Sequence, residues 1–139
     1  MRERLSLFAM ALWWGSLTTI GFLAVPLLFR FLPTPAVAGN MAARLFTAQT
    51  WVSVACAAAL LIVYKNRASA LDGQARAAII LIVLGMLMAL LVEFGVAPRI
   101  VARQNLALWH TAGTVMYAVQ WLCATALLWR RAAKRRAPT

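Results

Sequence analysis

The chain has 139 residues, 64% of them hydrophobic and only 12% charged, against about 25% charged in a soluble domain. Three acids stand against fourteen basic residues, for a formal charge of +11. The bases sit at the ends of long apolar runs and not on one polar face, which argues against a nucleic-acid partner and for positive-inside anchoring in a membrane.

The first apolar run covers residues 5–32. It is long enough to cross a hydrocarbon core of ~30 Å with some tilt. Ala36-Val37-Ala38 resembles a signal-peptidase site, but the run far exceeds the ~7–15 apolar residues of a signal peptide, so it reads as a retained span. Pro26 lies near its end and should kink or end the helix, because it frees a carbonyl one turn back. Pro33 and Pro35 make a tight link. The second run covers 40–64 and stops at Lys65, Asn66 and Arg67. Asp72-Gly73 signals a turn. The third run covers 77–97 and should stop at Pro98; the fourth covers 105–129, with a basic tail over 130–139. The expectation is therefore an all-α integral membrane protein, a single four-helix bundle without room for a soluble domain.

Ten of the Lys and Arg residues fall in the termini and the 64–76 loop, and four (Arg30, Arg44, Arg99, Arg103) fall on the other side. The positive-inside rule then puts both termini in the cytoplasm of a bacterial inner membrane. The basic tail is suited to anionic lipid head groups. The halves echo each other: Gly21–Pro26 (GFLAVP) resembles Glu93–Pro98 (EFGVAP), and Phe46–Val52 (FTAQTWV) resembles His110–Met116 (HTAGTVM). That pattern reads as two parallel helical hairpins related about the membrane normal.

Interfaces between helices in lipid collect small and weakly polar residues. On that rule the interior faces are Gly15, Thr19, Pro26 and Arg30 on the first span; Thr50, Ser53, Ala57 and Tyr64 on the second; Ile82, Met86, Ala89 and Glu93 on the third; and His110, Gly113, Thr114, Tyr117, Gln120 and Ala124 on the fourth. Trp109 and Trp129 fit interfacial belts, and the deeper tryptophans read as packing. Cys56 and Cys123 lie inside apolar runs without metal spacing and read as small buried hydrophobes. Small interior residues would also permit a homodimer or a partner in a membrane complex.

Glu93 is the one acid deep in a span, and His110 is the one histidine. Antiparallel neighbours joined by a short link should hold them at similar depth, about one turn below the outer helix ends. A carboxylate within a span calls for a partner. Two readings stand side by side. Either an arginine satisfies Glu93 and the pair pins the bundle, or Glu93 and His110, with Arg30, Arg44 and Arg99, line a pocket for a small ligand. No nucleophile–base pair, phosphate loop or paired carboxylates point to catalysis. No cofactor is expected; copper or haem on His110 is the alternative.

Trp13, Gly15, Pro26, Phe29, Ala38, Gly39, Leu45 and Phe46, followed by Pro98, Arg99, Trp109 and His110, resemble the pattern of a bacterial four-span membrane family of unknown function. That family also includes a human transmembrane protein associated with platinum-drug tolerance. The resemblance implies a four-helix membrane fold with Gly15, Pro26, Gly39 and Pro98 in structural roles, and no activity. A looser similarity runs to copper-resistance-protein-D-like membrane proteins and to a membrane protoporphyrinogen oxidase family. The oxidases carry a first-span histidine that this chain lacks, which argues against haem chemistry.

Overall fold

The computed structural model describes residues 1–68 and 73–134. Among them there is no strand. Helix α1 (Arg2–Thr18) passes through a π turn (Thr19–Ala24) into α2 (Val25–Phe31). A link of three residues leads to α3 (Pro35–Ala68). Helix α4 (Gly73–Leu91) passes through a second π turn (Val92–Val96) into α5 (Ala97–Val101), and α6 runs over Leu106–Lys134. These form four continuous helical rods, Arg2–Phe31, Pro35–Lys65, Gly73–Val101 and Leu106–Ala133, each long and apolar enough to cross a membrane. At 1.5 Å per residue each is roughly 40–45 Å long, so the ends reach past a ~30 Å core into the head-group zone. The Asp72 half of the expected turn and tail residues 135–139 lie outside the described residues.

The third rod runs past the expected stop at Pro98, whereas the first ends at Phe31, next to the expected end at 32. Neither Pro26 nor Pro98 ends its helix. In both rods the residue just before the proline donates its N–H five residues back, Val25 to Ile20 and Ala97 to Val92. An α-helix would force the proline ring against the carbonyl four residues earlier. Widening that turn by one residue moves the carbonyl aside, and the helix continues. The rods therefore reach Phe31 and Val101, beyond where a proline stop would leave them. The echo between GFLAVP and EFGVAP is thus an echo of geometry: each hairpin opens with a proline-bearing π turn at the same place.

The second and third rods also start earlier than the apolar runs. Pro35 takes the first position of α3, where its missing N–H is not needed, and Thr34 caps it, its Oγ1 accepting from Val37 N–H at 3.3 Å. At the other link α5 ends in a Schellman arrangement. Arg103 N–H donates to Ile100 and Gln104 N–H to Arg99, both at 3.0 Å. Arg103 sits in the left-handed region at φ 54°, and Asn105 follows at φ 38°. Asn105 then caps α6 through its Oδ1, which accepts from Leu108 N–H at 3.4 Å.

The rods pack in a closed ring: α1 on α3, α3 on α4, α4 on α6, and α6 back on α1. Both termini lie at one end, where Arg131 of α6 meets Glu3 of α1 at 3.5 Å; the opposite end is called distal below. The core is Met10, Trp13 and Leu17 of α1 with Ala57 and Leu60 of α3, Ile82 of α4, and Ala124 and Leu127 of α6. Trp13 is wholly buried and reaches diagonally across the ring to Gly85 of α4. A Cβ there would come within 2.8 Å of the indole. The absent side chain at Gly85 makes room for a tryptophan in the middle of the ring.

This arrangement corrects the expected inner face of the first span. Ser6, Ala9, Met10, Trp13 and Leu17 are buried on α1, whereas Thr19, Pro26 and Arg30 are exposed and Gly15 is half-buried. The small-residue rule misplaced the face because the small residue of this contact is on the facing helix. The expected faces of the second and third spans hold: Thr50, Ser53 and Ala57 are buried, as are Ile82 and Ala89.

Polar side chains tie the rods together where water is absent. Trp14 Nε1 donates to Thr125 Oγ1 at 3.0 Å, Trp121 Nε1 to Thr18 Oγ1 at 2.9 Å, and Tyr117 Oη to the Leu17 carbonyl at 2.8 Å. All three join the first and fourth rods. Gln49 Nε2 donates to Ser16 Oγ at 3.0 Å and joins the first to the second. Each such bond contributes about 0.6 kcal/mol within a membrane. Their value lies equally in register, because an unpaired indole or amide in hydrocarbon is costly.

Candidate functional site

Glu93 is the second residue of the second π turn (Val92–Val96) and is half-buried. Its partner is neither His110 nor an arginine. Thr47 of α3 donates its hydroxyl to both carboxylate oxygens, at 3.0 and 3.1 Å. This bond joins the second and third rods at the seam between the two hairpins. Two turns of helix separate Glu93 from Gly85 beside the central tryptophan, so the carboxylate stands well out toward the distal end.

The other candidates are held apart. Arg99 donates to the Gly95 carbonyl, and its guanidinium lies 4.6 Å from the centre of the Trp109 ring. Arg30 is exposed and lies 5.7 Å from the Phe31 ring centre. Arg44 and His110 are exposed. Of the five residues read together from the sequence, the structure thus gives Glu93 to Thr47, Arg99 to Trp109 and Arg30 to Phe31. Among the described residues no three His, Cys, Asp or Glu side chains come together as a metal-binding group.

A different constellation forms around Tyr117. Its ring stacks edge-on against Phe46 of α3, with centroids 5.3 Å apart, while its hydroxyl reaches Leu17 on α1. Gly21, inside the first π turn (Thr19–Ala24), leaves the space that the Tyr117 ring fills; a Cβ there would lie 2.6 Å from Cε1. Gly113 similarly receives Val96 from the other π turn, with 3.2 Å to a built Cβ. Both irregular turns therefore dock on the fourth rod at a glycine contact. Gly15 and Gly39, the glycines singled out by family pattern, have open space beside them.

Tyr117 belongs to the stripe His110, Gly113, Thr114, Tyr117, Gln120, Ala124. Gln120 and Ala124 are buried, Tyr117 is half-buried, and Thr114 and His110 are exposed. The face stays the same and its cover disappears. At the distal end α2 packs on α3, whereas the start of α6 packs on α5 and its π turn. The first and fourth rods thus part above Tyr117. On the distal side of the Tyr117–Phe46 pair, His110 and Thr114 lie exposed along the fourth rod. The Thr114 hydroxyl donates to the His110 carbonyl at 2.8 Å, and among the described residues the His110 imidazole has no hydrogen-bond partner.

Sequence reasoning placed Tyr117 on an inner face but missed its partners and missed Thr47. The match of Phe46 to His110 pointed to the residue next to Thr47, and nothing local distinguishes a threonine that will meet a carboxylate forty-six positions away. The Tyr117–Gly21 contact had one trace: glycine stands where the second hairpin has glutamate.

Comparison with curated proteins and with solved structures finds no match. A family model does match over residues 8–108, which takes in most of the first rod, the second and third rods, both π turns and the start of α6. Four apolar helices, two of them with a π turn just before a proline, thus accompany a match over most of the chain, and the protein belongs to the family described as a domain of unknown function, DUF4149.

Proposed function

We propose that this multi-pass protein is a non-enzymatic, small-ligand-binding accessory protein of the bacterial inner membrane, built as a four-helix bundle with both termini in the cytoplasm. The orientation rests on the excess of Lys and Arg at the terminal end. We read the parting of the first and fourth rods above Tyr117 as a distal cleft, with Tyr117 and Phe46 as its floor and His110 and Thr114 on one wall; in that orientation it opens outward. The observation that supports ligand binding is the exposure of His110 and Thr114 on a stripe whose continuation, Gln120 and Ala124, is buried. A helix face built for the interior but left uncovered is a receiving surface. The floor is aromatic and the wall carries one imidazole. A fitting ligand has an apolar body to lie on Tyr117 and Phe46 and a polar end for His110. Such sites are mostly apolar with few polar groups to set orientation. Glu93 serves as a seam bond in this reading.

Native mass spectrometry of protein purified from its own membranes tests the proposal. Thr114→Trp fills the cleft, and Leu108→Trp adds the same bulk at another exposed position. A small-molecule adduct present in the wild type and in Leu108→Trp but lost in Thr114→Trp is expected. An adduct indifferent to Thr114→Trp, or none in the wild type, overturns it. The same sample is read for copper and for a Soret band. Either signal, if lost in His110→Ala, replaces this reading with a cofactor-bearing one.

A further inference from the structure

The seam between the first and fourth rods carries a second feature, at the terminal end. An apolar groove of about 240 Å³ lies there, lined by Trp14 of α1 and by Thr125, Leu128, Trp129 and Ala132 of α6. The wall made by Trp14 is fixed. Its indole is held by Thr125, and the Thr125 hydroxyl itself donates to the Trp121 carbonyl at 2.8 Å. Trp14 and Thr125 have thereby paired their polar side-chain atoms, and the groove offers a largely apolar surface to its occupant. An alkyl chain needs no polar partner on such a surface.

The end of the same seam is cationic. Arg131 stands one turn beyond Leu128 on α6, and its side chain is only 12% exposed. Its contact with Glu3, at 3.5 Å, comes from Nη2, while its buried Nε has no acceptor among the described residues. Arg2 and Arg4, on either side of Glu3 in sequence, and Arg130, next to Arg131, are exposed. Among the described residues this rim thus carries more guanidinium groups than carboxylates, and one buried N–H lacks an acceptor. Two requirements meet within one turn of helix: an alkyl chain below and an anionic oxygen above.

We propose that the Trp14–Leu128–Trp129 groove and Arg131 form a binding site for one anionic phospholipid. One acyl chain lies between Trp14 and Trp129, and a phosphate oxygen accepts from Arg131. Trp129, exposed at the interface, covers the outer side of the chain. The site is separate from the distal cleft, so either stands if the other fails.

The test uses the full chain, delipidated in detergent. Dioleoyl-phosphatidylglycerol, dioleoyl-phosphatidylcholine and inorganic phosphate are added in turn, and lipid adducts are read by native mass spectrometry beside thermal unfolding. The expected result is one tightly retained phosphatidylglycerol, bound about fivefold better than phosphatidylcholine, the scale of one basic side chain near an anionic surface. Arg131→Gln should remove that preference. Leu128→Trp, which fills the groove, should remove the retained lipid, while Leu122→Trp, at an exposed position elsewhere on α6, should not. If Leu128→Trp does not fold, Ala132→Phe fills the same groove from an exposed position. Equal retention of the two lipids, an adduct that survives filling of the groove, or a thermal shift reproduced by inorganic phosphate alone would each overturn the proposal.

Discussion

Tyr117 crosses from the fourth rod to the first, donating its hydroxyl to the Leu17 carbonyl at 2.8 Å while its ring occupies the space that Gly21 leaves empty. One contact therefore joins a backbone irregularity, a missing side chain and the floor of the proposed distal cleft. Gly21→Ala would push a methyl group against Cε1, and the ring cannot retreat without breaking the Leu17 bond or the Phe46 stack. Overpacking of this kind costs about 1–3 kcal/mol. Thermal unfolding in detergent should show the loss, and the cost of Gly21→Ala should shrink when it is measured in a Tyr117→Ala background. Equal stability of Gly21→Ala and wild type would remove the contact from the account.

The glycines separate in a second experiment. Gly85→Ala meets the fully buried Trp13 indole at 2.8 Å, and an indole filling the middle of the ring has nowhere to move. It should destabilise by about 1–3 kcal/mol. Gly15→Ala meets nothing within 4 Å. It should be neutral or stabilising by up to about 1 kcal/mol, the helix preference of alanine over glycine. The reverse order would mean that Gly15 faces a second chain, and chemical cross-linking would then reveal a dimer.

Glu93 and Thr47 should behave as a pair. Glu93→Gln keeps an oxygen for the Thr47 hydroxyl and should fold nearly as well as wild type. Glu93→Ala and Thr47→Val each break the bond, at about 0.5–1.5 kcal/mol for a side-chain hydrogen bond. A double-mutant cycle should return a coupling of roughly 0.6–1.7 kcal/mol, the range for interhelical bonds in membranes. Zero coupling would show that the two side chains are held in place by packing alone.

Arg103 occupies the left-handed position of the cap that ends α5, at φ 54°. A residue with a Cβ pays about 1–2 kcal/mol there, and glycine is the usual occupant. Arg103→Gly should raise the unfolding temperature, offset in part by the greater freedom of glycine in the unfolded chain. Arg103→Ala, which keeps the Cβ and removes the charge, should not. If both variants gain equally, the charge and not the backbone was responsible.

The four helices were legible from composition, because only long apolar runs with charged ends satisfy both a hydrocarbon core and two aqueous interfaces. So was the kinship of GFLAVP and EFGVAP, although Pro26 reads as a kink or an end and Pro98 as a stop. A proline lacks its N–H and crowds the carbonyl four residues back; the sequence carries that conflict but not its resolution, which here is a wider turn that lets the helix run on. The inner faces of the second and third rods followed from small and weakly polar residues. The first did not, because Trp13 can fill the centre only when a glycine seventy-two residues away stands opposite.

Glu93 marks the same boundary. An isolated acid among apolar neighbours announces a need for a partner through the chemistry of one residue. The choice among His110, four arginines and a threonine depends on which helix turns which face to it, and that is settled by the packing of four rods around a tryptophan. Composition and local periodicity set what each segment is, since they act over a few turns of chain. Tertiary structure alone decided what each polar group meets, since those partners are brought together by a ring that no single segment contains.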